Sequence, residues 1–277
     1  MPQRVFIAEK PSLAREIAKT LQALGGGSQD KKTGYIEVGD DCVTWLYGHV
    51  YEQAEPHEYD PDLKRWSLDK LPFVPSEWKL RVRKERDKQR QKDLEQHVRT
   101  VTGLAKKAST VVNAGDAARE GQILVDELLW WNGIDPFSDS VMRCWVTSYA
   151  EKDMKKAVQN LFPNKQKKGL SEAGSCRQRA DWIHGMNSTR LFTLLAQQSG
   201  FDALVSVGRV QTPTLKIVVD RDREIDNFKP TDHYLPTGWF LHENGKFKAV
   251  WEIPSDHEGV DFEGRLTDKA VAQKVLD

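Results

Sequence analysis

Only three of the 277 residues are cysteine, Cys42, Cys144 and Cys176, and no two form a C-x-x-C pair. That excludes a zinc ribbon in this stretch, so no zinc is expected, and the scarcity of thiols fits a reducing compartment. No apolar run approaches the roughly 20 residues that cross a bilayer as a helix. The opening MPQRVFIAEKPSLA lacks the apolar core and cleavage site of a secretory signal. A cytoplasmic protein without a membrane segment is the expectation. Net charge is also missing, because 41 Lys plus Arg balance 41 Asp plus Glu. Any surface for a polyanion is therefore local rather than global. No Gly-Lys-Ser/Thr follows Gly25-Gly26-Gly27, which removes a phosphate-cradling loop and leaves those glycines as a helix end. Neither an internal repeat nor an extended low-complexity segment is found.

What is present suits a soluble globular chain, with 30 % charged and 39 % apolar residues, long enough for two domains. Residues 5–8 form an apolar run that stops at Glu9-Lys10-Pro11-Ser12, and an amphipathic stretch over 13–24 follows. This reads as strand, turn and helix, with Pro11 in the helix's first turn. Segments 35–38 and 42–47 flank Gly39-Asp40-Asp41 as a hairpin. Residues 51–78, rich in Pro, Asp and Trp, make an ordered irregular connection that leads into eight Lys or Arg between 79 and 92. A helix to about residue 105, a strand over 110–114, a helix through Trp131, a strand over 141–146 and a helix over 151–161 complete an alternation. Such alternation builds a mostly parallel, Rossmann-like sheet covered on both faces. A Lys-rich break at 163–169 marks a boundary, giving regions at 1–155, 163–229 and 230–277. The second is mainly helical, with helices over 178–198 and 207–219, and the third begins a β-rich segment with strands near 234–241 and 247–251.

In an open α/β sheet, functional groups gather beyond the carboxyl ends of the strands. Glu9 follows the first strand, and Asp116 and Glu120 follow the strand over 110–114. Collected acids favour a bound Mg²⁺ or a raised carboxyl pKa suited to proton donation. The same residues also serve as helix N-cap and first-turn acids, which are common and stabilising.

The run Ile7-Ala8-Glu9-Lys10-Pro11-Ser12, with Ala114-Gly115-Asp116-Ala117-Ala118-Arg119-Glu120-Gly121-Gln122, resembles the Toprim domain of type IA DNA topoisomerases, and in its Lys-Pro-Ser and Arg-Glu-Gly-Gln forms the topoisomerase III kind. Trp45-Leu46-Tyr47-Gly48-His49-Val50, Arg177-Gln178-Arg179-Ala180-Asp181-Trp182 and Ser206-Val207-Gly208-Arg209-Val210-Gln211-Thr212-Pro213 resemble that family too, in the family order. The resemblance implies an α/β Toprim fold followed by a mainly α region and the start of a β-rich gate. It implies Glu9 as the residue that protonates the leaving 3′ oxygen, Lys10 as a phosphate contact, and Asp116 and Glu120, with Glu9, as Mg²⁺ ligands. Arg119 becomes a partner for these acids or for phosphate. One departure stands out: the family's Asp-x-Asp-x-Glu has Ala118 at its middle acid.

The resemblance further implies a single-stranded DNA groove lined by Arg177, Arg179, Arg190 and Arg209, with Gln211, Thr212 and His49 nearby. Planar guanidinium forks suit phosphate oxygens. Solvated helix faces or ion pairs with Asp181, Asp220 or Glu224 are the alternative, and Asp181 reads as a structural partner for an arginine. The 79–92 run is read chiefly as a solvated face, and the tryptophans as core. The family's nucleophile is a tyrosine before Pro-Arg. None of Tyr35, Tyr47, Tyr51, Tyr59, Tyr149 and Tyr234 has that context, and 266–277 reads as an uninterrupted helix, so an N-terminal portion of a longer monomeric enzyme, inactive alone, is expected. A Toprim nuclease or primase, or a non-catalytic single-strand-binding module, are the competing readings.

Overall fold

The computed structural model describes residues 2–277. The chain opens with β1 (Arg4–Ala8), α1 (Pro11–Ala23), β2 (Gln29–Lys32), β3 (Tyr35–Val38), β4 (Asp41–Trp45) and β5 (Tyr51–Gln53). A short α2 (Pro56–Tyr59) precedes β6 (Leu80–Val82), α3 (Lys88–Lys107), β7 (Thr110–Ala114) and α4 (Arg119–Trp131). Next come β8 (Val141–Arg143), α5 (Glu151–Gln159), β9 (Phe162–Pro163) and the long α6 (Lys168–Gln198). The chain closes with α7 (Gln211–Asp226), β10 (Thr237–His242), β11 (Gly245–Val250) and α8 (Lys269–Lys274).

Seven strands form one sheet in the order β2-β3-β4-β1-β7-β8-β9. Its centre, β4-β1-β7-β8, is parallel, and antiparallel pairs close both edges. The α/β expectation holds, and the central strands show why: β1 and β7 are buried on both faces, as helix-covered parallel strands must be. Alternate side chains divide the core. Val5, Ile7 and Val111 pack toward α3 and α4, whereas Phe6, Ala8 and Val112 pack toward α1 and α5. Edge strand β2, Gln29-Asp30-Lys31-Lys32, was not anticipated, because its polar residues carry no apolar alternation. Such charge on a sheet edge also discourages pairing with another chain.

Helix α6 begins at Lys168, ten residues earlier than the apolar periodicity suggests. Its first turns bury Ser171 and Gly174. A Cβ on Gly174 would stand 3.1 Å from Ile123 and 3.2 Å from the Arg119 carbonyl of α4. Close helix contact is bought there with small residues, which a hydrophobic pattern does not register. The start of α7 is late, at Gln211, because side chains of α6 hold the preceding segment extended. Thr189 Oγ1 accepts from Val207 N at 3.0 Å, and Thr193 Oγ1 accepts from Val205 N at 3.0 Å. The irregular connection over 54–79 is fastened by an aromatic cluster of Tyr59, Phe73, Trp78 and Trp182. Those tryptophans are packing residues, as expected.

Compactness divides the chain at a different place from the Lys-rich break: one unit ends at Thr212 and the second runs Pro213–Asp277. The second unit contains the β10–β11 hairpin and a small core of Leu266, Val271 and Ala272 with Tyr234, Trp251, Ile253 and Val260.

Candidate active site

Three neighbouring parallel strands end level with one another. Ala8, the last residue of β1, pairs with Trp45 at the end of β4 and with Ala114 at the end of β7. The next residues of each strand therefore meet at one edge. Gly48 N donates to the Glu9 carbonyl at 3.4 Å. Asp116 N donates to Glu9 Oε2 at 3.2 Å, so the first acid braces the loop that carries the second. Lys10 Nζ donates to Asp116 Oδ2 at 2.8 Å. That hydrogen bond, reinforced by the Tyr149 phenol, pushes the Lys10 ammonium up to about 12. Lys10 stays charged at every working pH.

The loop between β7 and α4 depends on two glycines. A Cβ on Gly115 would stand 1.9 Å from the Gly121 carbonyl, and one on Gly121 would stand 2.4 Å from both N and O of Asp116. Helix α4 thus presses its first turn directly onto the Asp116 backbone. Below the loop lies a buried polar network that sequence reasoning missed. Arg143, fully buried, donates to the carbonyls of Asn113, Cys144, Gly115 and Asp116 and to Gln122 Oε1. Asn113 and Asn164 each donate to Asp126 Oδ1 at 2.8 Å, and Gln122 donates to Asp126 Oδ2 at 2.8 Å. Burial lowers Arg143 to about 10, which still leaves it protonated at neutral pH, and burial raises Asp126. The available signal was Gln122 and Asp126, four apart among the apolar residues of the helix.

Beside the acids, a cavity of about 500 Å³ separates this edge from α6, lined among others by His49, Arg119, Glu120, Arg177 and Gln178. Burial lowers the His49 pKa against the opposing pull of Glu120 and Glu9, so the ring is neutral near pH 7. Its Nδ1 lies 3.4 Å from Gln178 Nε2. Arg119 makes no ion pair among the described residues, whereas Arg177 stands 3.7 Å from Glu120 and 3.9 Å from Asp181. Arg209 grips Asp181 with two hydrogen bonds, of 2.5 and 3.1 Å. Asp181 is thus an arginine partner. Gln211 Oε1 accepts from Ser206 Oγ at 3.4 Å, and Thr212 Oγ1 accepts from Gly208 N at 3.0 Å, so both help shape the start of α7.

Two expected groove arginines face elsewhere. Arg190 is 7 % exposed, donates to the Leu63 carbonyl at 3.0 Å and lies over the Trp66 ring. It fastens the irregular connection and is not open to DNA. Arg179 lies over Trp78, with its Nε buried and unpartnered, and its charge acts on Glu127. Burial raises Glu127 to about 7, more than Arg179 offsets. A carboxyl with a raised folded pKa favours the native state below the unfolded value and loses that advantage as pH rises through the folded one. Stability should therefore decline between about pH 4.5 and 7. Glu127→Gln should flatten that decline in urea unfolding run across the window, and an unchanged slope would rule out Glu127 as its source.

Residues 4–148 match the Toprim domain family, and residues 165–277 match the DNA topoisomerase family. The chain belongs to the Toprim domain family. It is 40 % identical to DNA topoisomerase 3 of Haemophilus influenzae over 99 % of its own length and 42 % of the relative's. It is 38 % identical to the proteins of that name from Pasteurella multocida and Vibrio cholerae, covering 43 % and 41 % of them. The chain thus spans about two fifths of the length of these relatives. Membership in the Toprim family implies use of a divalent cation. Among the described residues, no three of His, Cys, Asp and Glu converge as a ligand set. Glu9 and Asp116 are neighbours, Glu120 faces Arg177, and Ala118 contributes no side-chain oxygen. Two carboxylates suffice for an ion that completes its shell with water and phosphate. An ammonium already sits on Asp116, so that oxygen is placed to meet a cation. The Toprim residues present fit such an ion.

Proposed function

We propose that this chain provides the acid, phosphate-holding and strand-holding parts of a type IA topoisomerase acting on single-stranded DNA with Mg²⁺. The observation that carries this reading is the meeting of Glu9, Lys10 and Asp116 at one strand edge, beside a cavity lined by Arg119 and Arg177. In such a reaction a tyrosine hydroxyl gives up its proton to solvent as its oxygen bonds to a backbone phosphorus, the bond to the 3′ oxygen breaks, and that oxygen must gain a proton. Glu9 gives the proton during cleavage and takes it back during religation. Lys10, charged throughout, holds a non-bridging phosphate oxygen. Arg119 and Arg177 bind flanking phosphates, while Arg209 orients Asp181 and the turn into α7. The bound cation, held by Glu9 and Asp116, would neutralise phosphate charge. A monomer in the cytoplasm belongs to the same reading. The topoisomerase match over residues 165–277 favours it over a Toprim nuclease or primase.

Labelled single-stranded DNA incubated with the chain and Mg²⁺ should give salt-sensitive binding on a native gel and no covalent adduct on a denaturing one. Absence of binding at low salt would sink the proposal. An adduct would place the nucleophile within this chain, with Tyr149, beside Lys10, the first residue to substitute. Because Ala118 leaves one carboxylate fewer, Ala118→Asp should bind Mg²⁺ more tightly in calorimetric titration. Equal midpoints would show that position 118 lies outside the ion's reach.

A further inference from the structure

The basic run over residues 79–92 is not one uniform solvated face. Arg81 is engaged by Glu52, Glu55 and Glu58 at 2.9, 2.7 and 2.7 Å. Arg83 donates to the His49 carbonyl at 2.8 Å and to Glu85 at 2.6 Å. Arg90, on the first turn of α3, has no ion pair among the described residues. It borders a second open cavity, of about 730 Å³, together with Tyr47, Arg83 and His97. Arg83 lines both cavities. Tyr47 and His49 flank Gly48, whose N–H meets the Glu9 carbonyl, and the first of them lines the second cavity while the other lines the first. The two spaces therefore border the same loop, the one that touches the reaction centre.

The second cavity is built to hold a flat ring. Tyr47 is 50 % exposed and is backed by the His97 ring at a centroid distance of 5.0 Å. His97 is itself fixed, with Nε2 2.7 Å from the Trp45 carbonyl and its ring 5.7 Å from that of Trp45. Gly34, at φ +89°, lets the β2–β3 turn close on the same histidine, since a Cβ there would stand 3.0 Å from His97 Nδ1. The acids that border this space are already engaged: Glu85 by Arg83, and Asp93 by the Gln89 amide at 2.8 Å. What remains available is an exposed aromatic face on a rigid support and one guanidinium. A groove that binds single strands without reading sequence needs these two groups, one for a base and one for a phosphate.

We propose that this cavity is a nucleotide subsite: single-stranded DNA passing Glu9 crosses Gly48 and Arg83, stacks a base on Tyr47 and sets a phosphate against Arg90. The inference rests on the single-stranded DNA reading above and extends it to a place that reading does not use. The test is fluorescence anisotropy of the whole chain with labelled oligothymidylates of increasing length. Wild-type affinity should rise in a further step once the oligonucleotide is long enough to reach beyond the first cavity. Tyr47→Ala should bind long oligonucleotides about 10-fold more weakly and the shortest ones as wild type does, and Tyr47→Trp should restore the step. Arg90→Ala should reduce the salt slope by about one on long oligonucleotides only. Long-oligonucleotide binding that is unchanged in both Tyr47→Ala and Arg90→Ala, with melting temperatures matching wild type, overturns the subsite. Equal weakening at every length also overturns it, by placing Tyr47 at the first cavity. If the wild type binds no length, the single-stranded DNA reading fails instead.

Discussion

Arg143→Leu is expected to lower unfolding stability by about 3–5 kcal/mol, the range for breaking a buried charged network from one side. The wild-type guanidinium satisfies the carbonyls of Asn113, Gly115, Asp116 and Cys144 and the Gln122 amide oxygen at once. Leucine fills much of the volume and satisfies none of them. Each abandoned buried acceptor costs about 1–3 kcal/mol unless the backbone moves to find water. Asp126 would also lose the positive charge nearest to it in the network. Urea unfolding of wild type, Arg143→Leu and Arg143→Lys is the measurement. Lysine should recover part of the loss, because it keeps the charge but cannot reproduce the planar fork. A loss below about 1 kcal/mol for leucine would show that the loop carrying Asp116 does not depend on this residue.

Gly121→Ala should be strongly damaging, against the ordinary effect of that change in a helix. In a helix, Gly to Ala ordinarily stabilises by about 1 kcal/mol, because alanine has less backbone entropy to lose. Gly103 of α3 meets that ordinary case, since an added Cβ there has no heavy atom within 4 Å. At Gly121 the same Cβ would stand 2.4 Å from Asp116 N and O, which are backbone atoms and cannot rotate away. Either α4 retreats or the Asp116 loop moves. A loss of about 1–3 kcal/mol in stability is expected. Loss of Mg²⁺ binding should accompany it in calorimetry, even at temperatures where the variant remains folded. Gly103→Ala should move stability in the opposite direction. If both substitutions were neutral, the close approach of α4 to Asp116 would be wrong.

The acids and the strands that carry them were legible because each signal is local. An apolar run ending in Glu9-Lys10, and another ending in Gly115-Asp116, announce strand ends, and helices after both fix their direction. The hairpin over residues 35–45 was legible for the same reason. What escaped depends on partners far along the chain. Nothing local separates Arg143, the most buried arginine, from Arg177, which faces the cavity. Arg190 and Arg179 were read as groove residues because the family resemblance implies a single-stranded DNA groove at their positions. Their fate was decided by Trp66, Leu63 and Trp78 in the irregular connection. Tyr47 was dismissed for lacking a Pro-Arg context, and its placement on His97 joins segments about fifty residues apart. The beginning of α6 was hidden because Ser171 and Gly174 pack by being small.

The level ends of β4, β1 and β7 make this site tolerant of some changes and intolerant of others. Exchanging one apolar side chain for another inside these strands alters packing but leaves Glu9, Gly48 and Asp116 at the same height. Adding or deleting a single residue in any one strand advances its end by about 3.3 Å and turns its side chains to the opposite face. Glu9 would then miss both the Gly48 and Asp116 amides. The connection between β5 and β6 carries none of these groups, so a change in its length leaves the three strand ends level. Descendants of this sequence are free to vary in what fills the three strands, but not in how many residues they count.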